Sequence, residues 1–173
     1  MDQKISIRRM EKEDIGLLER AFTAQGIVKQ EGYFSKCFHE TVTGERVTLL
    51  GFYNDHLAGC CHLIIKPKYA FFRDHHIPEI NDLNVFVEYR KKGIASLLID
   101  RFEKIAAETF DAIGIGVGLY EDYGTAQRLY CKKGYIPDGR GVQYKDETVP
   151  AGEYVHLDDD LVLRFTKSLG DRK

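Results

Sequence analysis

The stretch from Ile77 to Phe110 constrains the fold of this chain more than any other segment. Its first part, Ile80 to Val87, is rich in apolar and β-branched residues and is bounded by polar ones, which predicts a largely buried strand. After Gly93, side chains recur at helical spacing, namely Ile94, Leu98, Phe102, Ile105 and Thr109. The stretch therefore predicts a strand, a short basic turn and an amphipathic helix.

The basic turn lies at the N-terminus of the predicted helix. A helix N-terminus carries unpaired backbone N–H groups and a partial positive charge, which suit a phosphate. Gly93 lets the backbone approach a ligand closely, and Arg90, Lys91 and Lys92 add positive charge where a diphosphate would lie. Spacing alone leaves two interpretations open, a phosphate site and a solvated basic turn.

Two short motifs resemble those of one known family. Residues 83–95 read LNVFVEYRKKGIA and resemble the acetyl-CoA signature of the GNAT N-acetyltransferases, R/Q-x-x-G-x-G/A after a strand. Residues 123–135 read YGTAQRLYCKKGY and are similar to the second signature, N-x-x-A-x-x-L-Y-x-K-x-G-F/Y. Tyr123 replaces the usual Asn of the family, and Val87 replaces the usual Pro. Both motifs have the order and separation of the family, and the resemblance covers residues 77–136.

The resemblance implies the GNAT acyl-CoA N-acyltransferase fold, which is α/β in class (α+β by some schemes). In this fold helices flank a mixed and mostly antiparallel central sheet. The length of 173 residues fits one such domain with a sizeable core, and no Pro-, Ser- or Gly-rich linker divides the chain. We therefore expect a single GNAT-type N-acetyltransferase domain over residues 1–173.

Residue patterns predict further elements on both sides of the central stretch. They are a strand at Ile5 and Ile7, a helix with Ile15, Leu18 and Phe22 on one face, an antiparallel hairpin of Val47 to Tyr53 and Leu57 to Ile65, a helix over 124–133 capped by Gly134, a turn over 137–141, a loop or short hairpin over 142–159, and a strand from Leu161 to Phe165.

Two segments have ambiguous patterns. Residues 31–44 have helical spacing but are short and rich in aromatics, so a helix and a mobile substrate lid are both open. Residues 68–76, KYAFFRDHH, are expected to form an irregular connector. Its aromatic side chains can either cover the sheet or line a pocket, and we expect cover.

Residues 111–119, DAIGIGVGL, alternate apolar side chains with three glycines. In a strand, Gly114, Gly116 and Gly118 fall on one face and leave it bare. Because glycine weakens a strand, three in alternation indicate that backbone, helix or ligand comes unusually close to that face. The pattern is not a dinucleotide-binding fingerprint, since the glycines lie within the strand, and no phosphate-binding P-loop motif occurs.

Composition narrows the classes of partner. The net charge of −2 gives no reason to expect nucleic acid, and no apolar run approaches a membrane span. The first residues, MDQKISIRRM, lack the apolar core of a signal peptide, so we expect a cytoplasmic protein with no membrane partner. An open sheet has an edge strand, through which a homodimer is plausible.

Cysteines and histidines give no metal pattern. Cys37, Cys60, Cys61 and Cys131 have no metal-ligand spacing and are expected to be reduced thiols packed as small apolar residues. His75 and His76 have no third metal ligand at a recognisable spacing, and adjacent histidines rarely face one ion. We expect no metal cofactor.

The resemblance implies acetyl transfer from acetyl-CoA to an amine. It assigns cofactor contacts to backbone groups near Val85, Phe86 and Val87, to the turn residues Arg90, Lys91, Lys92, Gly93, Ile94 and Ala95, and to Tyr123. It also assigns the general acid that protonates the departing thiolate to Tyr130.

An amine is mostly protonated near neutral pH, so it needs a base before it can attack the thioester. Glu79 and Asp82 flank the start of the central strand, and Glu121 follows the glycine strand. We favour Glu79 as the base, acting directly or through water.

The leading hypothesis is an acetyl-CoA-dependent N-acetyltransferase that acts on a primary amine of a small molecule. One alternative is a non-catalytic module that binds or senses acyl-CoA, since the usual Asn is replaced. Another is a protein or peptide N-acetyltransferase. The sequence does not identify the acceptor.

Overall fold

The computed structural model describes residues 4–170. The helices are α1 Asp14–Ala24, α2 Tyr33–Val42, α3 Ala70–Asp74, α4 Ile94–Ala107 and α5 Gly124–Lys132, with short 3-10 turns at Val87–Tyr89 and Glu121–Tyr123. The strands are β1 Ile5–Arg9, β2 Arg46–Tyr53, β3 His56–Ile64, β4 Glu79–Val85, β5 Ala112–Gly118, β6 Ile136–Tyr144, β7 Glu147–Thr148 and β8 Leu161–Ser168.

The strands follow the hydrogen-bonded order β1-β2-β3-β4-β5-β8-β6-β7. β4 and β5 pair in parallel, whereas β1 with β2, β2 with β3, β5 with β8, β6 with β8 and β6 with β7 pair antiparallel. This mixed, mostly antiparallel sheet with its five helices confirms the predicted fold class.

The chain divides into two compact units. The first unit comprises residues 4–65 and 81–102, and the second comprises residues 66–80 and 103–170. The expectation of one functional domain over residues 1–173 stays a prediction.

In the first unit, α1, α2, β2 and β3 share one core that is rich in aromatic side chains. Phe22 of α1 packs edge-to-face on Phe34 of α2 and on Phe86, with ring centroids 4.9 and 5.4 Å apart. Edge-to-face pairs of this kind add stabilisation beyond the apolar area that they bury. The ambiguous segment 31–44 is therefore a helix whose residues Phe34 and Cys37 lie in the core.

The predicted hairpin is confirmed in the first unit. Asn54 and Asp55 join β2 to β3 with φ angles of 48° and 65°. Asparagine and aspartate tolerate this left-handed conformation, which a two-residue hairpin turn requires. The turn residues thus explain the register in which Tyr53 pairs with His56.

In the second unit, the segment 68–76 is more ordered than predicted. It contains α3, and Tyr69, Phe72 and Ile77 form a buried cluster. The expectation that these aromatics serve as cover is confirmed for Tyr69 and Phe72, because both side chains are buried. The prediction of a purely irregular connector was wrong, because a helix of five residues is too short to show a helical repeat of apolar side chains.

The predicted turn over 137–141 was also wrong as a boundary. β6 runs through it as a strand, with an irregular register against β8 between Pro137 and Val142. Gly139 and Gly141 have left-handed φ angles of 78° and 72° there. Turn-forming residues within a paired strand mark a bulge rather than a reversal of the chain.

Among the described residues no helix has the length and apolar character needed to cross a membrane. Cys37, Cys60 and Cys61 are buried free thiols, as predicted, whereas Cys131 is free but exposed.

Candidate functional site

The predicted phosphate loop lies in the first unit between β4 and α4. β4 ends at Val85, earlier than the predicted Val87, and one 3-10 turn leads to the basic residues. Lys91 and Gly93 have left-handed φ angles of 60° and 88°. Left-handed residues alternating with others turn successive N–H groups into a concavity that suits an anion.

The amides that open α4 complete this concavity. The N–H of Leu97 donates to the carbonyl of Gly93 over 3.0 Å. The amides of Ile94, Ala95 and Ser96 come before this bond, in the first turn, where a helix supplies no carbonyl acceptor. Residues 90–93 are exposed, so a diphosphate can reach this turn from solvent.

The basic side chains of the loop are partly engaged within the same unit. Arg90 donates from Nε to the carbonyl of Val85 over 3.2 Å, and Lys92 lies 4.8 Å from the ring centroid of Tyr53. The predicted phosphate contact would therefore fall first to the backbone amides, with the basic side chains adding charge.

One predicted backbone donor is already used. The N–H of Phe86 donates to the carbonyl of Ala58 over 2.9 Å, so it pairs within the first unit. Phe86 is buried, whereas Val87 at the usual Pro position is 67% exposed. The assignment of a thioester contact thus stays a prediction for the Val85 and Val87 amides.

A polar cluster on the same strand was not predicted. Asp82 accepts hydrogen bonds from Lys29 Nζ at 2.6 and 2.8 Å and from the Tyr33 hydroxyl at 2.6 Å. Lys29 Nζ also lies 5.0 Å from the ring centroid of Tyr33 and 5.6 Å from that of Phe22. A carboxylate with two aromatic faces is a favourable environment for a primary ammonium.

The pKa values of three side chains in and beside this cluster are shifted from their usual values. Burial opposes ionisation of Asp82, but hydrogen bonds from Lys29 and Tyr33 outweigh it, so the pKa of Asp82 lies below its usual value. Burial and the Asp82 charge raise the pKa of Tyr33. Burial, reinforced by the positive charge of Arg46, lowers the pKa of His62 to about 3. The cluster is therefore an ion pair beside neutral tyrosine and neutral histidine.

In the second unit, Tyr130 lies on α5 as its motif predicts. α5 ends at Lys132, and Gly134 follows with a left-handed φ of 86°, as expected for a helix C-terminal cap. The Tyr130 side chain is 5% exposed. Its role as general acid stays a prediction.

Tyr123 packs against the bare face of β5. A Cβ atom at Gly118 would lie 2.4 Å from the Tyr123 ring, so glycine is required for this contact. The Tyr123 hydroxyl donates to Asp159 over 2.8 Å, and Tyr120 donates to the same carboxylate. These hydrogen bonds lower the pKa of Asp159, and Tyr123 has therefore a structural partner besides its predicted cofactor contact.

The three glycines of β5 all receive side chains. Phe72 fills the space at Gly114, Arg164 the space at Gly116, and Tyr123 the space at Gly118. The predicted close approach to this face is present, but side chains make it rather than backbone or a ligand, and only Phe72 belongs to an α-helix.

Glu79, the favoured base, forms a close ion pair with Arg164 of β8. Both residues are 5% exposed. The other terminal nitrogen of Arg164 donates a hydrogen bond to Asp146 Oδ1 over 2.7 Å. An arginine beside a carboxylate favours the ionised form of that carboxylate. The role of Glu79 as the base stays a prediction.

The other candidate bases lie in different surroundings. Asp82 is paired with Lys29, and Glu121 is exposed in a 3-10 turn. Across residues 4–170 no group of three or more His, Cys, Asp or Glu side chains is arranged to hold a metal ion.

The two motifs predicted the turn before α4 and the helix α5, but no pattern predicted the partners of the carboxylates. Arg164 is 85 positions from Glu79, and Lys29 is 53 positions from Asp82. No periodicity links residues so far apart. The only signal for Arg164 was indirect, since Gly116 on the glycine face indicated that something approaches it.

The mixed sheet and its flanking helices define the class of protein, an acyl-CoA acyltransferase fold. A sequence model of the acetyltransferase (GNAT) family matches residues 16–135. The chain therefore belongs to the acetyltransferase (GNAT) family, and family membership makes it an acetyl-CoA-dependent acyltransferase. A search among curated proteins gives no significant match.

Solved structures share the fold at low sequence identity. Spermidine N-acetyltransferase from Vibrio cholerae, in complex with CoA and spermine, is 17% identical with a TM-score of 0.67, and the match covers 95% of each chain. The protein yncA from Salmonella typhimurium, solved with its cofactor acetyl-CoA, is 17% identical with a TM-score of 0.67, over 97% of this chain and 95% of that chain. The Salmonella typhimurium acetyl transferase that modifies the N-terminal serine of ribosomal protein L7/L12 is 13% identical with a TM-score of 0.70, over 95% and 94% of the two chains.

Proposed function

We propose that this protein transfers the acetyl group of acetyl-CoA to a primary amine of a small molecule by direct attack. Glu79 is the base, directly or through one water, and Tyr130 is the general acid. The turn residues 90–95 and the amides of Val85 and Val87 hold the cofactor, and Tyr123 is a further cofactor-binding residue.

The observation that carries the proposal is the loop before α4. Its left-handed residues Lys91 and Gly93 and the first amides of α4 together offer several N–H groups to one anion. A diphosphate is the part of coenzyme A with that charge, and the exposed loop leaves room for it.

The proposed reaction balances without a metal or a redox step. Glu79 takes a proton from the acceptor ammonium, and the freed nitrogen lone pair attacks the thioester carbonyl carbon. The tetrahedral intermediate collapses as the C–S bond breaks, and the thiolate of coenzyme A takes a proton from the Tyr130 hydroxyl. The attacking nitrogen loses its second proton, through water, to the Tyr130 phenolate, and Glu79 releases the first proton to bulk solvent. The products are an N-acetyl amine, coenzyme A and one proton, with Tyr130 and Glu79 restored.

A small primary amine is the acceptor in this proposal. The carboxylate of Asp82 and the rings of Tyr33 and Phe22 already hold the primary ammonium of Lys29, so this cluster is occupied by the chain itself and gives no site for the acceptor. The similar Vibrio cholerae structure holds spermine, whereas the similar Salmonella typhimurium transferase modifies a protein, so acceptors of both kinds occur on this fold.

A thiol-release assay with acetyl-CoA tests the proposal across polyamines, aminoglycosides, amino acids and peptide N-termini. We expect turnover with at least one small primary amine and little with peptides. Turnover with peptides alone would instead establish a protein N-acetyltransferase. Silence with every amine, in a protein that binds coenzyme A by calorimetry, would establish the binding or sensing module.

The Tyr130→Phe variant separates catalysis from binding. Loss of the acid should lower kcat by about a hundredfold while the Kd for coenzyme A stays within twofold. Tyr154→Phe is the matched control, because Tyr154 is fully exposed. An unchanged kcat in Tyr130→Phe would remove Tyr130 from the mechanism.

We also propose that the protein works in the cytoplasm on a dissolved acceptor, without nucleic acid, membrane or metal, and that a homodimer can form. These proposals rest on the sequence arguments alone. Fractionation of cells and sedimentation of the purified protein test the location and the oligomeric state.

A further inference from the structure

The Arg164 side chain reaches the proposed base, Glu79, by crossing the glycine face of β5. In the pairing register Glu79 of β4 lies opposite Gly114 of β5, and Gly116 of β5 lies opposite Arg164 of β8. The strand β5 therefore separates the two charged residues. A Cβ atom at Gly116 would lie 3.2 Å from Arg164 Nη1 and 3.4 Å from its Cδ and Cζ atoms. The missing side chain at Gly116 is what leaves room for the guanidinium.

The guanidinium is held on several sides. One terminal nitrogen pairs with Glu79 Oε1, and the other donates to Asp146 Oδ1 over 2.7 Å. The ring of Tyr69 lies on it, with 5.1 Å from Cζ to the ring centroid. A planar, permanently charged group fixed in this way can in turn fix the carboxylate that it binds.

Within the second unit, three elements bring titratable or charged groups to the surroundings of Glu79. Arg164 comes from β8, Asp146 from the turn between β6 and β7, and Tyr69 from the start of α3. Asp138 of β6 accepts the Tyr69 hydroxyl hydrogen bond over 2.9 Å. Among these contacts Arg164 supplies the positive charge that touches Glu79.

We propose that Arg164 is a positioning residue for acetyl transfer, which holds the Glu79 carboxylate ionised and oriented by reaching it across Gly116. This inference rests on the proposed function, because it gives Glu79 the role of base. The β5 glycine pattern thereby gains a role in the reaction, since it admits the arginine that sets the charge of the base.

The chemical reason follows from the surroundings of Glu79. A neighbouring arginine lowers the pKa of a carboxyl group by about 1–3 units, and burial without a counter-charge raises it. Removal of Arg164 also leaves the negative charge of Asp146 in place, which acts in the same direction as burial. A protonated Glu79 cannot accept a proton from the acceptor, so activity is lost as pH falls.

Carboxyl NMR tests the charge of Glu79 without any acceptor. The protein is labelled with carbon-13 at the glutamate carboxyl groups, and Glu79→Gln assigns the signal. In Arg164→Met the Glu79 carboxyl should titrate at least about one pH unit higher than in the wild type. Arg164→Lys should recover part of this shift. Identical titration of Glu79 in wild type and Arg164→Met would overturn the proposal.

The pH profile of kcat/KM tests the positioning role with the best acceptor of the amine panel. Arg164→Met should move the acid limb of the profile to higher pH by the same amount as it moves the Glu79 titration in the NMR experiment. The same substitution in a Glu79→Gln background should add no such acid limb. A moved NMR titration with an unmoved rate profile would reduce Arg164 to a structural partner and overturn the proposal.

A second variant guards against misfolding of Arg164→Met. Gly116→Ala keeps every charge but crowds the guanidinium, so it should shift the Glu79 titration in the same direction by a smaller amount. Gly124→Ala is the matched control, because nothing lies within 4 Å of a Cβ atom there. If Gly116→Ala and the Arg164 variants all leave the Glu79 titration unchanged, Arg164 does not act on Glu79 across Gly116, and the proposal is refuted.

Failure of the proposed function has a different signature. If Glu79→Gln retains full turnover, or if no amine is acetylated, Glu79 is not the base of this reaction. The NMR titration still decides whether Arg164 sets the charge of Glu79 in that case.

Discussion

Acid pH should destabilise this protein through one buried histidine, His62 on β3. Its side chain is 1% exposed, and its Nδ1 atom lies 2.9 Å from Thr48 Oγ1. Burial is the main cause that lowers its pKa from 6.5 to about 3, and the charges of Arg46 and Lys29 add to this effect. Asp82 Oδ2, 3.9 Å from Nε2, acts in the opposite direction.

The sign of the effect follows from the direction of the shift. The folded protein keeps His62 neutral, whereas the unfolded chain binds a proton on it below pH 6.5. Neutral His62 therefore contributes fully to stability above pH 6.5, and this contribution is lost as pH falls toward 3. With these two values, the loss between pH 7.5 and pH 4.5 is about 2.5 kcal/mol.

Urea unfolding followed by circular dichroism measures this loss. Wild type and His62→Gln are unfolded at pH 7.5 and pH 4.5, and only the change with pH is compared between them. Other groups titrate alike in both proteins, so the free energy of unfolding should fall by about 2.5 kcal/mol more in the wild type. His56→Gln is the matched control, since His56 is exposed in the β2–β3 turn.

Equal pH dependence in wild type and His62→Gln would refute the reasoning. It would mean that the folded protein accepts a proton on His62 as readily as the unfolded chain does, for example by drawing on the Asp82 carboxylate.

Three further predictions concern the loop, the glycine strand and α1. Gly93→Val should raise the Kd for coenzyme A about tenfold in calorimetry, because a φ of 88° costs a β-branched residue about 1–2 kcal/mol and shifts the loop amides; an unchanged Kd would contradict the phosphate role. Gly118→Ala should lower the free energy of unfolding by about 1–3 kcal/mol, since the new Cβ meets the Tyr123 ring, and Tyr123→Ala should recover part of this loss; simple additivity would argue against the contact. Asp14→Asn should cost about 1–2 kcal/mol at pH 7, because Asp14 pairs with Arg8 through bonds of 2.6 and 2.7 Å. The Arg8 hydrogen bonds lower the pKa of Asp14, so this cost should shrink as pH falls through that pKa, and a constant cost in urea titrations would be the contrary result.

Local patterns accounted for much of the fold. The apolar periods of α1, α4 and α5, the β2–β3 hairpin and the glycine strand β5 were all predicted near their observed positions. The failures were local as well. Five residues of α3 are too few for a period to appear, and the glycines after Pro137 mark a bulge in β6, not its end.

The sequence by itself determined the family and the position of the turn before α4, because a turn followed by a helix N-terminus is built from contiguous residues whose order can be read directly. Only the tertiary structure decided which charges face Glu79 and Asp82. Arg164 meets Glu79, and Lys29 meets Asp82, through the register of strands and the path of a loop. Such contacts depend on how distant segments pack, and burial of each charge requires a partner that no local pattern specifies.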